Sequence, residues 1–189
     1  MDDNELRVGI KKVEGGVFST WANQELTIGD NINVLPPTGH FYVELETNKK
    51  SNYIGVAAGS GITPILSILK TTLETEANSS FTLIYGNKST DSIMFLEEIE
   101  GLKNKYRDRL AVFNVLSREI QNSELLNGRI DGSKISQFLQ TLIPAEQIDD
   151  VFLCGPFEMV TSAQQAFVAA GVAKQHVHSE LFGTPEDLQ

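Results

Sequence analysis

The sequence contains one cysteine, Cys154, among 189 residues. A single cysteine cannot form an internal disulfide, and it cannot supply the thiolates of a four-cysteine iron–sulfur cluster or of a cysteine-rich zinc site. No apolar run approaches the length of a membrane span, and the opening residues, MDDNELRVGI, lack the basic and apolar regions of a secretory signal. These absences predict a protein of the reducing cytoplasm that has no membrane segment.

Positive charge is also scarce: 15 lysines and arginines stand against 25 aspartates and glutamates, which gives a formal net charge of −10. Such an acidic chain is not expected to bind nucleic acid or anionic membranes non-specifically. The net charge does not exclude the binding of an anionic nucleotide. Amides and cations in a local pocket act on the ligand more strongly than distant charges do, because salt screens the distant charges. The three histidines, His40, His176 and His178, show no metal-ligand spacing with a carboxylate, so no metal site is predicted.

From residue 53 onward, short apolar segments alternate with amphipathic ones. The apolar segments predict five β-strands, at residues 53–57, 81–85, 110–116, 151–154 and 176–179. The amphipathic segments predict helices near residues 62–73, 95–106, 133–142 and 157–170. This alternation is typical of an α/β domain, in which a parallel, doubly wound five-stranded sheet is covered by helices on both faces.

The first 48 residues have a different character. Three segments, at residues 5–13, 31–35 and 40–45, predict strands, and turn-forming residues separate them. Three strands cannot close a barrel, so we expect antiparallel β structure with open edges, either mobile or paired with a second copy in a dimer. The polar linker at 46–52 places the domain boundary near residue 48, with one domain at 1–48 and the other at 49–189.

A glycine-containing turn joins the first strand of the α/β domain to its first helix. It reads Gly59-Ser60-Gly61-Ile62-Thr63-Pro64. Glycines allow a tight turn, the first amides of the helix can point at an anion, and a proline in the first turn loses no hydrogen bond. The turn therefore suits the binding of a diphosphate. Taken without the other motifs, it could equally be a simple connection between strand and helix.

Small polar residues and cations follow the other strands as well. Asn87 follows the second strand, Ser117 and Arg118 follow the third, and Gly155 and Pro156 follow the fourth. Ligands of open α/β sheets bind beyond the carboxyl ends of the strands, so these residues are expected to meet at one edge of the sheet.

The pair Ser117 and Arg118 has the chemistry to bind a phosphate monoester, because it combines a hydroxyl donor with a guanidinium fork. At the end of the third strand it could hold the 2′-phosphate of NADP, whereas an acidic residue there would suit the ribose of NAD. Arg129 is a second candidate cation. The alternative is a solvated Arg118 paired with Glu119 or Glu97.

Cys154 precedes Gly155 at the end of the fourth strand. In that place a small thiol side chain could lie against a nicotinamide ring, with the glycine allowing the ring to approach the backbone. The alternative is that Cys154 is a small core residue.

Several motifs in this order resemble the NAD(P)-binding domain of ferredoxin-NADP reductase-type flavoproteins. They are the turn at 59–64, Tyr85-Gly86-Asn87, Ser117-Arg118, Cys154-Gly155-Pro156 and Glu180-Leu181-Phe182. Upstream, Gly15-Gly16-Val17-Phe18-Ser19 is similar to the family's flavin-diphosphate loop. Residues 1–48 resemble the second half of the family's flavin-binding barrel, so the resemblance implies a partial antiparallel β-barrel before the NAD(P)-binding domain at 49–189. The segments GGVFSTWAN and HSELFGTP are most similar to reductase components of phenylacetyl-CoA oxygenase (epoxidase) systems.

The resemblance implies hydride transfer from NADPH, or NADH, to FAD, followed by electron transfer to a [2Fe-2S] centre and an oxygenase component in phenylacetate degradation. It implies that residues 59–64, Asn87, Ser117, Arg118, Arg129, Gly155 and Pro156 bind NADP, and that residues 15–19 bind FAD. Cys154 and Glu180 would then line the hydride-transfer site as catalytic residues.

Two features of the family are missing from this sequence, namely an Arg-x-Tyr-Ser flavin segment and the four cysteines of a [2Fe-2S] domain. Three hypotheses remain open. The chain is the NADPH-docking portion of such a reductase, or a nucleotide-binding module without turnover, or a Rossmann-like protein that binds another phosphorylated ligand.

Overall fold

The computed structural model describes residues 6–36 and 38–182. These residues form two compact units, and the division falls between His40 and Phe41, earlier than the boundary expected near residue 48. The reason is that the side chains of Phe41, Val43 and Leu45 pack against the apolar cluster on one face of the sheet described below.

The first unit contains one regular element among its described residues, the helix α1 (Val17–Gln24). The strands expected at 5–13, 31–35 and 40–45 do not form in the described parts of those segments, so the partial antiparallel barrel is corrected to irregular chain plus one helix. The physical reason is that an alternating segment becomes a strand only beside a hydrogen-bonding neighbour. The first unit instead leaves large apolar side chains exposed: Leu6, Val8, Val17, Ile28, Val34 and Leu35.

The second unit contains the predicted parallel sheet. Its strands are β1 (Asn52–Ala58), β2 (Ser80–Asn87), β3 (Leu110–Leu116), β4 (Asp150–Gly155) and β5 (Val177–Leu181). All neighbouring strands pair in parallel in the order β3-β2-β1-β4-β5, which confirms the α/β, doubly wound prediction. The chain moves outward from β1 to β3 and then returns to the other side, so a topological switch point lies between β1 and β4.

Helices cover both faces of this sheet. On one face lie α2 (Ile62–Thr75) and α3 (Leu96–Lys105), and on the other lie α4 (Gly132–Thr141) and α5 (Phe157–Ala169). Tyr53 and Phe81 belong to the first face, whereas Ile54 and Val56 belong to the second, as the alternation of side chains along a strand requires. The two layers bury the strands on both sides, which explains their nearly continuous apolar sequences.

A buried carboxylate anchors the polar linker to the amino ends of the strands. Glu76, just after α2, is fully buried. One of its oxygens accepts a hydrogen bond from the amide of Glu46 at 3.0 Å, and the other accepts from the hydroxyls of Tyr53 at 3.0 Å and Ser79 at 2.6 Å. The start of the linker is thereby held at the edge opposite to the one on which the sequence placed the site.

In the described part of the chain, no helix is both long and apolar enough to cross a membrane.

Candidate nucleotide-binding site

The glycine turn is packed onto the end of β4. Gly59 has a φ of +54°, a conformation in the left-handed region that favours glycine. A Cβ on Gly61 would collide with the carbonyl oxygen of Cys154, and it would lie 2.9 Å from the amide nitrogen of Gly155. The turn therefore bridges the switch point between β1 and β4, where open α/β sheets bind their ligands.

Tyr85 fixes the shape of this turn from the neighbouring strand. Its hydroxyl donates a 2.8 Å hydrogen bond to the carbonyl oxygen of Gly59, and its side chain is fully buried. Burial raises the pKa of Tyr85 to about 12, so the hydroxyl remains a donor at neutral pH. Sequence reasoning assigned no role to Tyr85; the available signal was its place at the carboxyl end of a strand within the Tyr85-Gly86-Asn87 motif.

The N-terminus of α2 is open towards the same edge. No side chain caps it among the described residues. The hydroxyl of Thr63 donates back to the carbonyl of Ser60 at 3.1 Å, and Pro64 lies in the first turn, where no intrahelical bond is lost. Ile62 is fully buried, and its amide donates to the carbonyls of Gly59 and Ser60, so the amides available to a ligand are those that follow it in the first turn. Uncapped first-turn amides are the groups that bind a diphosphate at a helix N-terminus.

Asn87 presents unpartnered polar atoms at the end of β2. The residue is only 8% exposed, and neither its Oδ1 nor its Nδ2 has a hydrogen-bond partner in the described structure. The Oδ1 of Asn114, which stands opposite Tyr85 on β3, lacks a partner as well. A buried amide left unpaired costs about 1–3 kcal/mol. These atoms are shielded from solvent, so a ligand at this edge would reach them only after the side chain of Asn87 moves.

The loops after β2 and β3 run side by side. We call residues 88–92 the β2 loop and residues 117–121 the β3 loop. The amide of Ser117 donates to the carbonyl of Asn87 at 3.0 Å, and the amide of Arg118 donates to the carbonyl of Lys88 at 2.8 Å. The structure thus brings Asn87, Ser117 and Arg118 together, as the strand-end argument requires.

Arg118 is exposed and forms no ion pair with a carboxylate of the described residues. Its neighbour Glu119 is engaged elsewhere, because both carboxylate oxygens accept 2.7 Å hydrogen bonds from Thr90, one from the amide and one from the hydroxyl. These bonds hold the pKa of the Glu119 carboxyl below its usual range. The alternative in which Glu119 or Glu97 pairs with Arg118 is therefore not what the structure shows.

Arg129 reaches the same corner of the sheet. The amide of Gly128 donates to the carbonyl of Leu116 at 2.8 Å, and Asn127 forms a parallel bridge with Leu116. Arg129 therefore follows a segment that lies against the last residue of β3. It is exposed and, among the described residues, forms no ion pair.

Cys154 and Glu180 are neighbours across the β4–β5 ladder. The side chain of Cys154 is fully buried in the apolar layer beneath α2, whereas Glu180 is exposed. Burial, with a smaller effect of the Glu180 charge, raises the pKa of the Cys154 thiol to about 12. The thiol is therefore neutral and cannot act as a thiolate nucleophile. After it, Gly155 ends β4 and Pro156 stands directly before α5.

Two histidines meet a carboxylate at the opposite end of the sheet. The Oδ1 of Asp150 lies 3.1 Å from the Nδ1 of His176 and 2.8 Å from the Nε2 of His178. Asp150 is the first residue of β4, so this trio belongs to the amino edge of that strand, away from the glycine turn. No group of three or more metal-ligating side chains in the described ranges could hold a metal ion.

The comparison with known families agrees with this geometry. Residues 56–165 match the family described as the oxidoreductase NAD-binding domain, and this match covers more than half of the chain. The chain belongs to the oxidoreductase NAD-binding domain family. The matched segment runs from β1 into α5 and so contains the glycine turn, Asn87, Arg118 and Cys154.

Relatives place this NAD-binding domain among ferredoxin reductase-type flavoproteins, as the resemblance predicted. One component of the 1,2-phenylacetyl-CoA epoxidase from Escherichia coli K12 is 42% identical over 181 residues, which are 96% of this chain and 51% of the relative. The ferredoxin reductase component of 3-ketosteroid-9-alpha-monooxygenase from Mycobacterium tuberculosis H37Rv is 34% identical over 97% of this chain and 47% of the relative. The chain spans about half the length of these curated relatives.

A solved structure gives the same result. The Flavohem-like FAD/NAD-binding domain of nitric oxide dioxygenase from Vibrio cholerae superposes with a TM-score of 0.73 at 26% identity, and the match covers 89% of this chain and 65% of that one. The α/β fold predicted for the second unit and the predicted family are thus confirmed, and NAD(P) and FAD are the cofactors of the family.

The flavin loop predicted at residues 15–19 lies at the start of α1. Gly16 precedes the helix directly, and the Oγ of Ser19 accepts a 3.1 Å hydrogen bond from the amide of Val13. The helix start fits a phosphate group in principle, but α1 has no buried residue, and none of the described residues 6–36 is buried. These residues therefore offer no enclosed slot for a flavin ring, and the assignment of Gly15, Val17 and Phe18 to FAD stays a prediction.

Proposed function

We propose that this chain is the NADPH-docking portion of a flavin-dependent reductase. The observation that carries the proposal is the unpaired guanidinium of Arg118 beside Ser117, at the same edge as the glycine turn and the unpartnered amide of Asn87. An arginine kept free of its neighbouring carboxylate is suited to bind a phosphate, and the 2′-phosphate is the group that distinguishes NADPH from NADH.

The parts of the nucleotide are assigned along the edge of the sheet. The first-turn amides of α2, after the turn at 59–61, bind the diphosphate. Ser117 and Arg118 bind the 2′-phosphate, with Arg129 as a second cation. Gly155, Pro156 and Glu180 lie beside the nicotinamide, whereas the fully buried thiol of Cys154 is a small core residue beneath α2. A bound flavin would supply the hydride acceptor; the residues of this chain bind and orient the donor.

For the whole protein, we propose the partners that the relatives' names suggest. One relative is a component of a phenylacetyl-CoA epoxidase and another is a ferredoxin reductase component of a monooxygenase. Electrons from NADPH would pass through FAD to a [2Fe-2S] centre and then to an oxygenase component. We place this activity in the cytoplasm, where NADPH is available. The exposed apolar residues of the first unit offer a surface for a dimer.

A second candidate function is nucleotide binding without turnover. The absence of a buried residue in the described range 6–36 favours it, because a flavin ring needs an enclosed site. The two candidates are separated by reconstituting the chain with FAD, removing free flavin, and measuring ferricyanide reduction with NADPH. A yellow protein that turns over supports the reductase, and a colourless protein that binds NADPH without turnover supports the binding module.

The nucleotide assignment itself is tested by titration calorimetry of the chain with NADPH and NADH. We expect one site for each nucleotide and about tenfold or greater preference for NADPH, since a charged hydrogen-bonded contact contributes about 1.5–3 kcal/mol. Equal affinities would contradict the 2′-phosphate assignment, and no binding of either nucleotide would contradict the proposed function.

A further inference from the structure

The carboxylate of Glu119 is held by the loop of another strand. Glu119 follows Arg118 in the β3 loop, but both of its carboxylate oxygens accept 2.7 Å hydrogen bonds from Thr90 in the β2 loop. The two residues are 29 positions apart in sequence and both are exposed, so this contact is not a consequence of core packing.

The β2 loop presents these two donors from a preformed turn. The Oγ of Ser92 accepts from the amides of Lys88 at 3.1 Å and Ser89 at 3.0 Å, and it donates to the carbonyl of Ser89 at 2.7 Å. The backbone bond from Arg118 to Lys88 joins the two loops next to this turn. Thr90 therefore has a fixed position relative to Arg118 and Glu119.

The position of Glu119 matters because of the chemistry at the end of this strand. A carboxylate that is free there can accept hydrogen bonds from the ribose hydroxyls of NAD, and it can pair with the adjacent guanidinium. Both interactions would weaken the binding of a 2′-phosphate. Pairing with the guanidinium would neutralise Arg118, and a carboxylate at the ribose would place a negative charge where the phosphate must lie. Thr90 bonds to both oxygens and so draws the carboxylate towards the β2 loop, although each oxygen keeps a further lone pair.

We infer that Thr90 is a positioning residue that sets the preference for NADPH over NADH by holding the Glu119 carboxylate away from Arg118. The inference rests on the proposed function, because it requires that Arg118 binds the 2′-phosphate. It adds that the choice between the two nucleotides depends on a hydroxyl that does not itself contact the nucleotide.

The experiment is a mutant cycle read by calorimetric titration of the full chain with NADPH and NADH. Thr90→Val removes the hydroxyl donor at nearly constant volume and keeps the amide donor, so one of the two bonds to Glu119 remains. We expect NADPH affinity to fall about threefold while NADH affinity is unchanged or rises. Thr90→Ser keeps the hydroxyl and should behave like the wild type. Thr90→Val combined with Glu119→Gln should bind NADPH as tightly as Glu119→Gln alone, because the competing charge is gone.

This rescue separates positioning from a merely structural role. If Thr90→Val merely loosened the loop, NADPH affinity would stay low in the double variant as well. Thr141→Val is the matched control, since the Thr141 hydroxyl donates only within the exposed end of α4, to the carbonyl of Gln137 at 2.6 Å. NADH affinity reports whether each variant is folded, and Thr90→Ala replaces Thr90→Val if the valine variant does not fold.

The outcomes distinguish this inference from the proposed function. If the wild type prefers NADPH and loses that preference in Arg118→Ala, the proposed function stands. In that case the role of Thr90 is overturned if Thr90→Val keeps the wild-type nucleotide preference. It is also overturned if the double variant binds NADPH as weakly as Thr90→Val does. If the wild type binds neither nucleotide, the proposed function falls, and if Arg118→Ala changes nothing, the 2′-phosphate assignment falls; this inference falls in either case.

Discussion

The hydroxyl of Tyr85 on β2 donates a hydrogen bond to the carbonyl oxygen of Gly59, the first residue after β1. The glycine turn at 59–61 is therefore shaped by the neighbouring strand as well as by its own glycines. The same carbonyl also accepts a hydrogen bond from the amide of Ile62, the first residue of α2, so the turn is closed from two sides.

Removing this hydroxyl tests the role of the turn. We expect Tyr85→Phe to weaken the binding of NADPH and NADH by the same factor, about three- to tenfold, because both nucleotides share the diphosphate. The free energy of unfolding should fall by about 1 kcal/mol. Tyr42→Phe is the control, since Tyr42 is 55% exposed. A loss confined to one nucleotide, measured by calorimetry, would show that Tyr85 does not act through the diphosphate turn.

Gly61 is predicted to tolerate no side chain. Gly61→Ala would drive a methyl group into the backbone of Cys154 and Gly155 at the end of β4. Overpacking against backbone costs about 1–3 kcal/mol or more, and the displaced turn should bind both nucleotides poorly. Chemical denaturation measures the loss of stability, and nucleotide titration measures the loss of binding.

Gly101→Ala is the matched control for this substitution. Gly101 lies inside α3, and a Cβ there would meet nothing within 4 Å. Alanine should therefore stabilise the protein by about 0.5–1 kcal/mol, because it favours the helix. Equal stability of the two variants would contradict the packing of the turn on β4.

Arg118 is predicted to act on one nucleotide only. Arg118→Ala should weaken NADPH binding about tenfold or more and leave NADH within about twofold, because the guanidinium meets only the 2′-phosphate. The exposed Arg107, which precedes β3 at the opposite end of that strand, provides the control variant Arg107→Ala. The measurement is titration with each nucleotide at fixed ionic strength, and equal losses for both would rule out the 2′-phosphate assignment.

Cys154 predicts a particular dependence of stability on pH. Its folded-state pKa is about 12 against an ordinary value of 9.0, because the thiol is buried. From about pH 9 to 12 the unfolded chain loses the thiol proton and the folded protein keeps it, so stability falls as the pH rises. The slope from this group is at most about 1.4 kcal/mol per pH unit.

The contribution of the thiol is isolated by comparison with Cys154→Ala. Urea unfolding at pH 8, 9, 10 and 11 should show a steeper loss of stability in the wild type than in the variant above about pH 9. Below about pH 8 the difference between them should be constant. Parallel curves over the whole range would mean that the thiol ionises in the folded protein as readily as in the unfolded chain.

The sheet and its edge were predictable because their signals are local. Apolar strands, helical periodicity and turn residues each lie within a few positions, and the parallel order then brings Asn87, Ser117 and Arg118 to one edge. The N-terminal strands were mispredicted for the same reason: residues 31–35 alternate correctly, but alternation carries no information about a neighbouring strand.

Side-chain pairs that join distant segments could not be predicted. Tyr85 and Gly59 are 26 residues apart, and the carboxylate of Asp150 meets His178 across 28 residues. The partner that a hydroxyl or carboxylate finds depends on the register of the strands. That register could not be read from the sequence.

The crystal structure of this chain with NADP⁺ tests the central claim most directly, through the position of the 2′-phosphate. The phosphate oxygens should lie within hydrogen-bonding distance of the Ser117 hydroxyl and the Arg118 guanidinium, with the diphosphate at the first turn of α2 and Glu119 still bonded to Thr90. A 2′-phosphate bound away from Arg118, or a diphosphate that does not contact the start of α2, would contradict it.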